Sequence, residues 1–237
     1  MPRQGPLFYQ RPVPLDRNRH SKFGVKPTEG YAFAAKTNSV AINAIEFPQI
    51  AKFYPIVFSA NDPAMPVAVL GLENQRNAMV NGEGEWRNGA YIPAYIRRYP
   101  FIFFEDRGND RLTLCIDEGS GYVVEGGGEP LFDEAGEPTD YTSRALQFCT
   151  AYQRQHAATR AMGEALSARG MLVERVAALQ QGGESGQRVG GFRIIDPEKM
   201  NELDDETFLD WRRKGWLPLI YAHMMSASNW PSLAIES

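Results

Sequence analysis

Apolar and polar positions first alternate at Val40 and Ile42, with Ala41 and Asn43 between them, as along a strand with one buried face. Residues 46–50 have the form of a short helical turn with Pro48 near its start, and residues 55–58 form the next strand-like run. A turn at Asn61, Asp62 and Pro63 follows. The unbroken apolar run 67–72 predicts a strand covered on both faces. Asn81-Gly82 predicts a tight turn, because both residues tolerate positive φ. Read as a strand, residues 91–99 put Tyr91, Pro93, Tyr95, Arg97 and Tyr99 on one face, with Ile92, Ala94, Ile96 and Arg98 on the other. Residues 111–116 predict a further strand with Leu112, Leu114 and Ile116 on one face, ended by a turn over 117–121. Loops are expected at Gly126-Gly127-Gly128 and over 132–138. No helix long enough for regular parallel crossovers separates these strands, so the first half is expected to be mainly antiparallel.

The period then changes. Residues 142–169 contain no proline, and a helix gathers Ala145, Phe148, Cys149, Tyr152, His156, Thr159, Met162 and Leu166 on one face. Gly170 is the expected stop. An apolar piece over 171–179, a flexible turn over 180–186 and a strand over 189–195 follow. Asp196-Pro197-Glu198 reads as a helix start, with Asp capping and Pro where its missing N–H costs nothing. Asp204 or Asp205 caps a helix through Lys214 that ends at Gly215, and Pro218 opens a last one through Ser226. The expected fold is α+β: an antiparallel sheet from roughly residue 35 to 125, packed against the long helix and a helical C-terminal part. The proline-rich, charged residues 1–30 are expected to be an extended arm, and 31–237 a single domain.

Composition narrows the function classes. With 43% hydrophobic residues the chain can bury a substantial core. A net charge of −4 argues against general binding to the phosphate backbone, so no nucleic acid partner is expected. No run approaches the ~20 apolar residues of a membrane span, and the N-terminal residues lack the apolar core of a signal peptide. A cytoplasmic location is therefore expected. Cys115 and Cys149 then read as two buried thiols rather than a disulfide.

Catalytic signals are sparse. The three histidines, His20, His156 and His223, show no HxxxH or HxH spacing, and there is no CxxC, so no metal site is expected. Gly126-Gly127-Gly128 runs into Glu129-Pro130 rather than a helix, and no cofactor is expected. His223 and Ser226 share a helix face without a GxSxG elbow. Asp117-Glu118, at a strand end before Gly119, is the most site-like carboxylate pair. Asp117, Glu118 and His223 are secondary candidates for an enzyme acting on a peptide or sugar, on condition that they converge in one cleft. No residue is assigned as catalytic.

The densest chemistry runs from Trp86 to Phe104, where 7 of the 27 aromatic residues interleave with Arg87, Arg97 and Arg98. Tyrosines alternating with a guanidinium make a rigid amphipathic surface suited to a peptide or partner protein. The competing reading is that these rings fill a sheet core, and that role is expected for Ile96, Phe101 and Phe103. Trp86, Tyr91, Tyr95, Arg97 and Arg98 are the candidate binding residues. A homo-oligomer is compatible with this pattern.

The same residues resemble a known family. Residues 46–48 and 54–58, the run 69–72, Trp86, the string 91–101 (YIPAYIRRYPF), residues 114–118, 131–133 with 136–138, and the closing 220–223 with Ser226 look like the bacterial SapC family. The family's name comes from surface-layer loci, which implies a structural surface component as one role. Many members look like products of gene neighbourhoods holding TonB-dependent receptors and flavin-dependent halogenase-like proteins, which implies an accessory role in uptake or peptide modification. The resemblance carries no catalytic residues.

Overall fold

The computed structural model describes residues 5–27, 30–106, 111–181 and 184–234. Residues 1–4, 28 and 29 of the expected arm, and 182 and 183 of the expected turn, lie outside them. In chain order, β1 (Pro12–Pro14), the one-turn helix α1 (Arg17–His20) and β2 (Phe23–Val25) lead to β3 (Ser39–Ala41). The turn α2 (Phe47–Ile50) precedes β4 (Ile56–Ser59) and β5 (Pro66–Val69). Another turn, α3 (Ala94–Arg97), precedes β6 (Phe101–Asp106), β7 (Arg111–Asp117), β8 (Val123–Glu125) and β9 (Glu129–Pro130). The long helix α4 (Asp140–Ala168) is followed by β10 (Leu172–Gln181) and β11 (Glu184–Ile195). The chain closes with α5 (Pro197–Asn201), α6 (Asp205–Arg213), α7 (Leu217–Ser226) and α8 (Trp230–Ala234).

The strands form antiparallel sheets, and with the helices they make the α+β fold that the hydrophobic pattern predicts. A five-stranded sheet in the order β10-β11-β4-β5-β3 carries the main core. Phe47, Tyr54, Phe58, Leu70, Met162, Leu166 and Ile220 are buried there, beneath α4 and α7. Each such side chain contributes about 1.5–3 kcal/mol on leaving water. A three-stranded sheet, β1-β7-β6, and a smaller one, β8-β2-β9, enclose a second cluster of Val25, Phe101, Ile116, Leu131 and Cys149.

The helix α4 serves both clusters: Cys149 enters the second while Met162 and Leu166 enter the first, with the buried Thr159 between them. Its start is capped by Thr139, whose hydroxyl accepts from the Thr142 amide, two residues ahead of the start expected from periodicity. At Gly163 the helix meets the turn after β4 so closely that a Cβ would stand 2.2 Å from the Ala64 carbonyl oxygen. Farther along, Asp196 caps α5 and Asp204 caps α6, and Gly215 takes a positive φ of 71° just past α6. The apolar piece 171–179 falls in β10, because β11 pairs with it in an antiparallel hairpin.

The N-terminal residues, expected to be extended, are extended at β1 and lie on the chain's own sheet rather than projecting from it. Pro12, Val13 and Pro14 face Asp117, Ile116 and Cys115 of β7. Asp16 caps α1 by accepting from the Asn18 and Arg19 amides, and His20 is buried.

Candidate functional site

Residues 91–99 do not form the strand that their alternation predicts. Among the described residues they pair with no strand; Tyr91 to Pro93 have no regular secondary structure and Ala94–Arg97 is a single helical turn. The cause lies 48 positions upstream. The Glu46 carboxylate, itself buried, accepts from the Ala94 amide at 2.7 Å and so caps the turn that Pro93 opens. Glu46 also accepts from the Asn43 amide at 2.9 Å and the Tyr91 hydroxyl at 3.1 Å. One carboxylate thus fixes the entry and the first residue of the turn that carries the arginines.

The helical turn redistributes the candidates. Tyr95 and Arg98, assigned to opposite strand faces, are i,i+3 neighbours, and the Arg98 guanidinium stacks 4.0 Å from the Tyr95 ring centre. It also lies 4.4 Å from the Tyr152 ring and 5.9 Å from the Tyr9 ring. Burial pushes the Tyr9 and Tyr152 phenols well above the ordinary tyrosine value. These rings therefore offer Arg98 π faces and neutral hydroxyls, not an anion. Its Nε is buried without a hydrogen-bond partner.

Arg97 is held differently. Its Nε donates to the Ile92 carbonyl at 2.9 Å, and a terminal nitrogen donates to the Tyr91 hydroxyl at 2.9 Å. The guanidinium stands between two rings, 5.3 Å from Tyr91 and 5.2 Å from Phe148 of α4, and the residue is exposed. Arg97 and Phe148 make a ridge between two shallow hollows. One, of about 150 Å³, is lined by Ile45, Glu46, Tyr91, Ala94 and Tyr152 as well as the ridge. The other, of about 240 Å³, is lined by Arg97, Arg98, Arg144, Tyr141, Phe148 and Cys149, among others. Together they form a groove between the 91–101 segment and the N-terminal half of α4.

The remaining candidates are drawn elsewhere. Trp86 is buried in the main core, its indole N–H donating to the Tyr54 hydroxyl at 3.2 Å, so no face of it is offered to a ligand. Tyr99 is buried as well, stacked on Phe33 at 4.4 Å. Asp117 is fully buried and accepts from the Gln10, Arg11 and Gly119 amides and the Tyr99 hydroxyl. Glu118 pairs with Arg11, Arg19 and His20, and the Arg19 hydrogen bonds hold its carboxyl below the ordinary glutamate value. Both carboxylates secure the N-terminal segment.

His223 lies in the other core. Its Nε2 accepts from the Ile195 amide at 3.1 Å, and burial pushes its pKa down to about 4. Ser226 spends its hydroxyl on the His223 carbonyl and the Ile56 amide. Among the described residues His223 and the Asp117-Glu118 pair share no partner: the ring lies against Phe58 and Ile195, and the carboxylates against the N-terminal segment, so the structure does not bring these candidates together. Burial also pushes the Cys149 thiol up to about 11, with Arg98 opposing, which removes it as a nucleophile at neutral pH. Among the described residues no group of three or more His, Cys, Asp or Glu could hold a metal, and no helix is long and apolar enough to cross a membrane.

Residues 15–233 of the 237 match the SapC family. The chain belongs to the SapC family. No curated protein and no solved structure matches this SapC member. The string 91–101 that carries the resemblance thus forms one wall of the groove in this SapC-family fold. On its other wall, Arg144, Phe148 and Tyr152 fall in the helix expected over 142–169, the last two on its apolar face, and Tyr141 lies just before it; the sequence assigns none of the four to a site. Glu46, the capping carboxylate, belongs to the expected turn 46–50 and to the residues that carry the resemblance, but the sequence assigns it no role.

Proposed function

We propose that the protein is a non-catalytic binding or accessory protein of the cytoplasm that recognises a peptide or partner protein through the groove between residues 91–101 and α4. The observation that supports this reading is Arg97: an exposed guanidinium fixed by two hydrogen bonds between two rings, with an open hollow on either side. A pre-ordered arginine flanked by aromatic surface loses little side-chain entropy when a ligand covers it. Planar guanidinium and aromatic rings are also the groups that dominate binding energy at interfaces. The accessory role is the one that family resemblance implies.

The test is capture of partners from the native cell by the wild-type protein and by Arg97→Ala, with both melting temperatures measured. Loss of a specific partner at unchanged melting temperature supports the groove. Identical capture by both proteins overturns it.

A further inference from the structure

Charge is distributed unevenly around the groove. The whole chain carries a net charge of −4, yet the larger hollow gathers three arginines, Arg97, Arg98 and Arg144. Among the described residues, none that lines it is acidic. Glu129 lies close enough to Tyr141 to raise its phenol pKa but does not line the hollow. Glu46 reaches Arg97 only through the Tyr91 hydroxyl, and it opens on the other hollow. A guanidinium withdrawn from water without an anion is costly, and Arg98 has tyrosine rings and an orphaned Nε in place of one. The rest of the lining is mostly aromatic, from Tyr99, Phe101, Tyr141 and Phe148, with Ala145 and the Cys149 thiol.

We propose that this hollow is a carboxylate-binding subsite of the groove, with Arg97 and Arg144 as the ligand's ion partners and Arg98 supplying a fixed positive field behind them. Planar guanidinium groups match a carboxylate through paired N–H donors. The aromatic walls suit the apolar group that carries it. The ligand is a peptide that brings either its free C-terminal carboxylate or an Asp or Glu side chain into the hollow. This assignment rests on the reading of the groove as a peptide site and specifies its chemistry.

Binding of short synthetic peptides to the full-length protein, followed by amide chemical-shift changes, tests it. One peptide ends in Phe with a free carboxylate; a second is its C-terminal amide; a third is the amide with an internal Asp, and a fourth replaces that Asp by Asn. The expected result is shifts at Arg97, Arg144 and Phe148, with binding of a carboxylate form at least about tenfold tighter than its neutral counterpart. Arg144→Gln, at an exposed position, is expected to remove that difference while leaving the melting temperature unchanged. Preference for the first peptide over the second identifies a chain terminus; preference for the third over the fourth identifies an acidic side chain. Equal affinity within both pairs, or a carboxylate preference that survives Arg144→Gln, overturns the subsite. Partner capture that depends on Arg97 with no carboxylate preference leaves the groove standing without this chemistry. Carboxylate binding lost in Arg144→Gln, with partner capture indifferent to Arg97, leaves the subsite standing without the groove's proposed role.

Discussion

The Asp117 carboxylate holds the Arg11 backbone amide at 2.6 Å across 106 positions of sequence. Its other oxygen takes the Gln10 amide and the Tyr99 hydroxyl, both at 3.0 Å. Asp117→Ala leaves all of these donors without their acceptor, so a loss of at least about 3 kcal/mol is expected. Tyr99→Phe removes a single bond from the same group and is expected to cost about 1 kcal/mol. Urea unfolding measures both. Amide exchange at Gln10 and Arg11 is expected to accelerate in Asp117→Ala; unchanged protection would show that the segment is held by other contacts.

His223 gives stability a definite pH dependence. Burial holds the folded ring's pKa near about 4, with the Ile56 backbone partly opposing, against 6.5 for an ordinary histidine. Between these values the unfolded chain binds the additional proton. The stabilisation is fully present above pH 6.5 and is lost as pH falls through about 4, an effect on the order of 3 kcal/mol. His223→Gln can still accept from the Ile195 amide and has no proton to take up. Burial also pushes the His156 pKa down, and that residue is present in both proteins, so urea midpoints measured from pH 6.5 to 5 are expected to fall more steeply in wild type than in the variant.

Arg97 and Arg98 are adjacent in sequence and opposite in consequence. Arg97→Ala is expected to change stability by no more than about 0.5 kcal/mol, because the side chain is exposed. Arg98→Lys keeps the charge and loses the planar stacking on Tyr95 and Tyr152, at an expected cost of about 1–2 kcal/mol. Thermal melts of the two variants distinguish them. Equal losses would mean that Arg97 is also a core residue.

That difference between neighbours marks where the sequence stops being legible. The helix α4 could be read because its apolar positions recur with one period over many turns, and α5 and α6 because Asp196, Asp204 and Gly215 are local signals that need no tertiary partner. The 91–99 segment could not. Over so few residues, alternation and a single helical turn place tyrosines almost equally well, and the deciding group is the Glu46 carboxylate, distant in sequence. Arg97 and Phe148 are likewise brought together only by tertiary packing, so half of the groove was invisible as a site. Trp86 was drawn into the binding face by composition, whereas its indole N–H needed a buried acceptor and found one in Tyr54.

Both cysteines are expected to resist alkylation in the folded protein. Burial pushes the Cys115 and Cys149 thiols up to about 11, so little thiolate exists at pH 8. Labelling with iodoacetamide should be slow in buffer and rapid in denaturant. Fast native labelling at Cys149 would show that the arginine hollow opens to admit reagents.

Gly163→Ala is expected to destabilise the protein by about 1–3 kcal/mol, because the Ala64 carbonyl leaves no room for a methyl group. Differential scanning calorimetry measures this. The contact reaches beyond its own energy. The helix pinned at Gly163 delivers Met162 and Leu166 to one core and Cys149 to the other, although the sheets that build those cores are separate. Neither core can lose α4 without exposing part of its neighbour. Heat should therefore melt the two as one cooperative unit, with a single calorimetric transition.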